Sequence, residues 1–445
     1  MKRPKTLIKI GAVLLIVVAA VLDVRAILNY TEGRALTRAL AALKEKGVPL
    51  TARELAPSCP EEDNAARMWT AVENLLTIGG KDQGLLARCW TDFSSGQPLD
   101  PGEKAALRVL AAGNEKALEL LMGMGDKPCF LYRDPAQTLL ESRLPNAVKM
   151  LRSTELLFLS ALFDAEDGKM GPAIDKITSG LGFTPLIAQE GTLMAYLIAV
   201  AQTRILANFL GDVCRGRTVA DDDLVRLIGA LDPYPWKGRL AGAIRGERVF
   251  FVEAGGLTLG QGTSGFEAFF GDLSILQKLG LWTIRPLLKR DLRRSLPEFD
   301  ALETWAGRPY FESRDMLRAQ AQRSEKRPWY AYISKILISN FEATFVKEAV
   351  LESNILASRT GLACRLYKSR TGQYPESLEA LVPGILTVVP IDPFTGKPLV
   401  YRRDGEGFIV YSLGSNQKDD GGRSTYRFTK IVMDKDDDHS WREDR

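Results

Sequence analysis

The apolar residues divide the chain into one uninterrupted run, a long stretch of helical periodicity, and an end in which the period changes. Ile10 to Leu22 carries no charge, and Leu7, Ile8, Ala26, Ile27 and Leu28 extend the run on either side. A bilayer span needs about 20 apolar residues, so the segment reaches that length with Asp23 and Arg25 snorkelling at its edge. Lys2, Arg3, Lys5 and Lys9 precede it. Basic residues ahead of a span predict a single-pass anchor in the inner (cytoplasmic) membrane over residues 1–28, with the N-terminus inside and the bulk of the chain periplasmic. The alternative is a cleaved signal peptide with Val24-Arg25-Ala26 as its small-x-small site.

Residues 24–46 continue as a helix with Leu36, Leu40 and Leu43 on one side, ending at Gly47 and Pro49. Pro60-Glu-Glu-Asp-Asn64 is an acidic helix start ahead of residues 65–78. Helical periodicity then runs from Gly102 to Leu231. Pro145 stands at a first-turn position before Val148, Leu151, Leu156 and Leu159, Pro172 opens the next helix, and Thr192 to Leu210 is nearly all apolar. No fixed repeat period appears, so residues 29–330 read as a bundle or solenoid-like helical body. Asp221-Asp-Asp223 complements a helix N-terminus ahead of Leu224. Gly260-Gln-Gly262-Thr-Ser-Gly265 reads as a loop, because a dinucleotide fingerprint requires a strand before it. Arg285, Lys289, Arg290, Arg293 and Arg294 read as a solvated helix face, with an anionic membrane surface as the alternative.

No proline interrupts the chain between Pro328 and Pro375, and no glycine between Trp329 and Thr360. This predicts one helix of up to ~40 residues at the head of a C-terminal unit, residues 331–445. A short helix from Pro375 to Leu381 follows. The period then drops to two. Leu399 to Arg402 and Phe408 to Ser412 read as strands of a hairpin turned by Asp404-Gly-Glu-Gly407. The predicted fold is mostly α, with a membrane helix, a helical body and a small α+β end.

Composition narrows the chemistry. Hydrophobic residues make up 45% of 445 and the net charge is +4, which gives no electrostatic case for nucleic acid. His439 is the one histidine, so multi-histidine metal sites are excluded. Five cysteines without C-x-x-C spacing read as buried thiols; a bridge among Cys59, Cys89 and Cys129 is the alternative in an oxidising space. A hydrolase would draw on carboxylates such as Glu166, Glu190 and Glu247, but no spacing joins them and no small-molecule substrate suggests itself. Near the end, Leu413-Gly-Ser-Asn416 and Asp419-Asp420-Gly-Gly422 are rich in oxygen donors and glycine, and Asp434, Asp436, Asp437 and Asp438 repeat the pattern. Ca²⁺ selects such donors; a solvated acidic turn has the same composition.

From about Glu352 to Trp441 the chain resembles the C-terminal domain of the type II secretion major pseudopilin. The matching runs are Leu362-Ala-Cys-Arg-Leu-Tyr367, Gly372-Gln-Tyr-Pro375, Leu378-Glu-Ala-Leu381, Ile391-Asp-Pro-Phe394, Gly396-Lys-Pro398, Tyr411-Ser-Leu-Gly-Ser-Asn416 and Asp419-Asp-Gly-Gly422. The resemblance implies a long helix on a small antiparallel sheet. It also implies a calcium loop using the Leu413 carbonyl and the Asn416 side chain, with Asp436 and Asp438 as later ligands and Asp419 and Asp420 competing for that role. Asn416 stands where the family places Asp, which lowers the ligand charge. A pseudopilin's membrane helix leads directly into its domain; here the apolar run lies far upstream and lacks a Gly-Phe-Thr-Leu-type processing site. The whole chain resembles large anchored bacterial envelope proteins ending in such a domain. The expected role is therefore non-enzymatic, structural or in contact with other envelope proteins, with calcium as the one cofactor.

Overall fold

The computed structural model describes residues 4–94, 99–233, 236–260, 272, 274–338, 341–422 and 439–443. Helix α1 (Pro4–Glu45) runs without a break through the apolar segment, and Gly47 at φ 70° ends its C-terminal turn. Its first half bears exposed apolar side chains, among them Ile10, Leu14, Ile16, Val18, Leu22 and Ile27, whereas Leu36 and Leu43 are buried. Short elements follow: α2 (Ala52–Leu55), α3 (Ala65–Leu75), α4 (Gly80–Ser94), α5 (Pro101–Gly113) and α6 (Glu115–Gly123). Local chemistry sets their starts. The Asn64 side chain accepts the Ala66 N–H, and Asp100 accepts those of Gly102 and Glu103 with Pro101 at the first helical position.

Helices α7 (Ala147–Glu166), α8 (Met170–Ile187) and α9 (Leu193–Asn208) pack mutually and form the middle of the body. Asn146 caps α7 by accepting the Lys149 N–H, so Pro145 lies just outside the helix that it introduces. Then come α10 (Leu210–Cys214), α11 (Asp221–Ala230), α12 (Arg239–Gly260), α13 (Ile275–Ala306) and α14 (Tyr310–Glu325). The triple aspartate opens α11 as expected.

The single helix expected after Pro328 is two: α15 (Tyr332–Leu337) and α16 (Phe341–Thr371). A tertiary contact anchors the start of the first. The Asp291 carboxylate of α13 accepts the Ser334 N–H at 3.1 Å and its hydroxyl at 2.6 Å, capping α15 from outside. Helix α16 is buried from Phe341 to Leu366 and packs on α9, α11 and α14. Ser358 Oγ donates to the Ala207 carbonyl at 2.7 Å across the α16–α9 seam. Gly372 at φ 84° ends the helix. The short helix expected from Pro375 is only a 3₁₀ turn at Leu378–Leu381; the Pro375 carbonyl instead accepts the Tyr401 hydroxyl at 2.6 Å.

Strands β1 (Val400–Asp404), β2 (Gly407–Ser412) and β3 (His439–Glu443) form an antiparallel sheet in the order β1-β2-β3. Gly405 at φ 59° turns the hairpin that Asp404 and Gly407 close. The strand β3 was not foreseen. It is held by tertiary partners: Trp441 pairs with Val410 and lays its indole against Gly361 and Gly211, where a Cβ on Gly361 would overlap the ring. Arg365 of α16 completes the junction, donating to the Cys214 and Arg217 carbonyls at 2.9 and 2.7 Å and pairing with Glu443 at 3.3 Å. One hydrophobic cluster runs from Leu36 through the body to Trp441, and Leu362, Leu366, Phe408 and Val410 all belong to it. Both cysteine readings hold in part: Cys59 and Cys129 are bridged, while Cys89, Cys214 and Cys364 are buried thiols.

Candidate functional site

The C-terminal loop is built on Asp392, which is 1% exposed. One carboxylate oxygen accepts the Phe394 N–H and the Ser412 hydroxyl, each at 2.9 Å; the other accepts the Leu413 N–H at 3.0 Å. The Asp392 N–H donates to the Lys397 carbonyl at 2.7 Å, closing the Thr395-Gly396 turn. A buried carboxylate is stable only with its oxygens satisfied, and here the bonds clamp the exit of β2 to that turn. Ile391-Asp-Pro-Phe394 was legible as a motif, but the role of its aspartate was not. Its signal was an Asp-Pro pair directly before a glycine turn.

Beyond Leu413 the backbone turns through Gly414 and Gln417, both at positive φ, and the Gln417 amide donates to the Phe394 carbonyl at 2.6 Å. The Asn416 oxygen accepts the Lys418 N–H at 2.9 Å and its amide donates to Asp420 at 2.8 Å. Asp419 accepts the Tyr411 hydroxyl at 2.7 Å and the Gly421 N–H at 2.9 Å. These bonds, the tyrosine's above all, hold the Asp419 carboxyl below its ordinary range. Leu413, Asn416, Asp419 and Asp420 are thus brought into one loop, while Asp436 and Asp438 lie outside the described residues. Among the described residues no three acidic, thiol or imidazole groups converge as a metal site. The described donors for Ca²⁺ are therefore two carboxylates, an amide and a carbonyl; the Asn416 oxygen already accepts the Lys418 N–H, and Asp420 already accepts the Asn416 amide.

The three carboxylates of the hydrolase alternative have separate structural partners. Glu166 lies in a surface network with Lys104 at 2.7 Å and Arg108 at 3.0 Å. Glu190 is buried and accepts the N–H groups of Tyr132 and Arg133 at 2.8 and 3.1 Å; burial raises its pKa against those bonds. Burial likewise pushes Glu247 up to about 7, opposed by the Leu193 N–H.

A second region of interest lies where α1 leaves its apolar half. Glu32 is bound by Arg290 at 2.7 Å and Arg293 at 3.1 Å, and Lys289 donates to the Asn29 carbonyl at 3.2 Å. Three members of the expected solvated basic face are therefore the seam that docks α13 on α1. Glu32 gave no signal in the sequence, since its partners are more than 250 residues away. The contacts advance together along both helices, from Arg25 with Trp282 to Glu32 with Arg293, so α1 and α13 run parallel. Compared with family models, curated proteins and solved structures, the chain matches none of them.

Proposed function

We infer that the protein is a membrane-anchored, non-enzymatic envelope protein with a structural or interaction role, its helical body carried outside the cytoplasm. One observation carries this reading: α1 is a single helix with an exposed apolar first half, and Glu32 ties its second half into the body's seam. An 18-residue window of that helix reaches a mean hydropathy of 2.3 and is wholly unburied. The other stretch of such length and hydropathy among the described residues, Leu193–Cys214, is mostly covered by protein and belongs to the core. The Cys59–Cys129 bridge supports an oxidising compartment. Alkaline extraction of membranes followed by N-terminal sequencing tests the anchor. The chain should stay in the pellet with Met1 to Leu28 intact, whereas a soluble chain beginning near Ile27 would contradict it.

The C-terminal part of the proposal is a pseudopilin-like unit whose loop binds calcium. Its support is the gathering of Leu413, Asn416, Asp419 and Asp420 on one turn after β2, with Asp436 and Asp438 expected to complete the set. Ligand that binds only the folded chain stabilises it in proportion to RT ln(1 + [L]/Kd). Millimolar Ca²⁺ should raise the melting temperature of the full chain in detergent, and Mg²⁺ should do less, because it prefers a smaller octahedral site. Asp436→Ala with Asp438→Ala should abolish the rise. No shift with Ca²⁺ would leave the loop as an acidic turn organised by Asp392 alone.

A further inference from the structure

The first two turns of α13 present an apolar stripe that the described protein leaves largely open: Ile275 is 84% exposed, Leu276 81%, Leu279 58% and Trp282, which carries Arg25 on its ring, 42%. The spacing i, i+1, i+4, i+7 puts these residues on one face of the helix. Their level is set by α1. The Arg25 guanidinium stacks on the Trp282 ring at 3.3 Å from its centroid and donates to the Trp282 carbonyl at 2.8 Å. Arg25 and Asp23 are the first charges after the apolar run, so this pair marks the membrane surface, where tryptophan and a snorkelling arginine both belong. Because α1 and α13 run parallel, seven residues back from Trp282 at 1.5 Å each place Ile275 about 10 Å deeper, level with Val18 in the apolar run.

The start of α13 also meets part of its own hydrogen-bonding need. The Ser274 hydroxyl accepts the Gln277 N–H at 3.4 Å, and the Gln277 side chain accepts the Ser274 N–H at 2.9 Å. This reciprocal box satisfies two of the four donors that a helix start would otherwise leave to water.

We propose that the N-terminal turns of α13, Ile275 to Trp282, are a second membrane element that enters the outer half of the bilayer beside α1 and meets lipid acyl chains with its apolar stripe. The proposal rests on the anchor reading and deepens it: the body is held by two parallel helices and therefore has a fixed orientation to the membrane. Nitroxide labels on Leu276→Cys, Leu279→Cys, Val18→Cys and Val225→Cys test it, using the full chain in phosphatidylethanolamine–phosphatidylglycerol vesicles. The native thiols are buried, and the unsubstituted chain gives the background. Labels at 276 and 279 should shift from nickel-chelate to oxygen accessibility as the label at 18 does, 276 nearly as far and 279 less because it lies nearer the surface, while 225, on the exposed face of α11, stays nickel-accessible. A lipid-like signal at 18 with a water-like signal at 276 and 279 would overturn the proposal and leave the anchor standing. Labels at 276 and 279 shielded from both reagents would also overturn it, showing a second protein surface on the stripe. A water-like signal at 18 itself would overturn the anchor and the proposal together.

Discussion

Helices α13 and α16 have nearly the same length, 32 and 31 residues, yet one lies along an edge of the molecule and the other through its middle. Helix α16 is buried around its circumference, polar residues included. Two of its hydroxyls turn back on the helix, Ser353 to the Ala349 carbonyl at 2.8 Å and Thr360 to that of Leu356 at 2.6 Å, and Ser358 donates across to Ala207, so all three enter the core with their donors satisfied. Helix α13 is divided along its length. Its first turns bear uncovered Ile275, Leu276 and Leu279, its middle carries the arginines that hold Glu32, and its last turns bury Leu296, Phe299 and Leu302. A helix covered on all sides organises a core, whereas one whose covering changes along its axis joins different surroundings.

Paired truncations break this comparison most sharply. Leu366→Ala in α16 should cost about 2 to 5 kcal/mol, as for other large-to-small core changes. Leu279→Ala in α13 should stay within about 0.5 kcal/mol in detergent, as at a surface position. Urea unfolding of the solubilised chain measures both, and equal costs would remove the distinction. Asp392→Ala should come next, at about 1 to 3 kcal/mol, because it leaves the Phe394 and Leu413 N–H groups and the Ser412 hydroxyl without their acceptor. Glu32→Gln at the α1–α13 seam should cost about 1 kcal/mol, since its arginine partners keep part of their exposure. That loss should shrink in high salt.

A further effect is one of pH. Burial pushes the Glu348 carboxyl of α16 up to about 8, Glu352 adds to the rise and the Tyr196 hydroxyl opposes it. A carboxyl with a raised folded pKa makes the folded state hold a proton that the unfolded state has released. Stability from this group is therefore full below the ordinary value of 4.5, falls as pH rises and levels off above about 8. Glu155 and Glu247, each raised to about 7 by burial, contribute to the lower part of the same decline. Glu348→Gln should flatten the decline from about 4.5 to about 8, leave the share of Glu155 and Glu247, and melt higher than the parent above about 8. An unchanged profile would mean that Glu348 is solvated.

What could be read in advance follows from how local each signal is. The starts of α8, α9 and α11 were legible because Pro172, Thr192 and Asp221 act within one turn, and the β1–β2 hairpin because Gly405 and Gly407 fix it locally. The start of α15 was not, since the acceptor of its Ser334 N–H and hydroxyl is Asp291, 43 residues away. Strand β3 was hidden for the same reason: His439 to Glu443 lacks strand periodicity and takes its place from Gly361, Gly211 and Arg365. At the candidate loop the donors Asn416, Asp419 and Asp420 were visible as a composition. Asp392, which positions their loop, was visible only as part of a motif.

The central claim is that one core, threaded by α16, joins the helical body to the C-terminal sheet and hangs from α1. Hydrogen exchange of the full chain in lipid nanodiscs, read by mass spectrometry, tests it directly. Peptides from 345–366 and from α7 and α9 should share the slowest exchange and open together as denaturant is added, because they draw on one cluster of buried side chains. If residues 341–443 open at lower denaturant while α7 to α9 stay protected, the sheet and its helix are a separate unit and the claim is wrong.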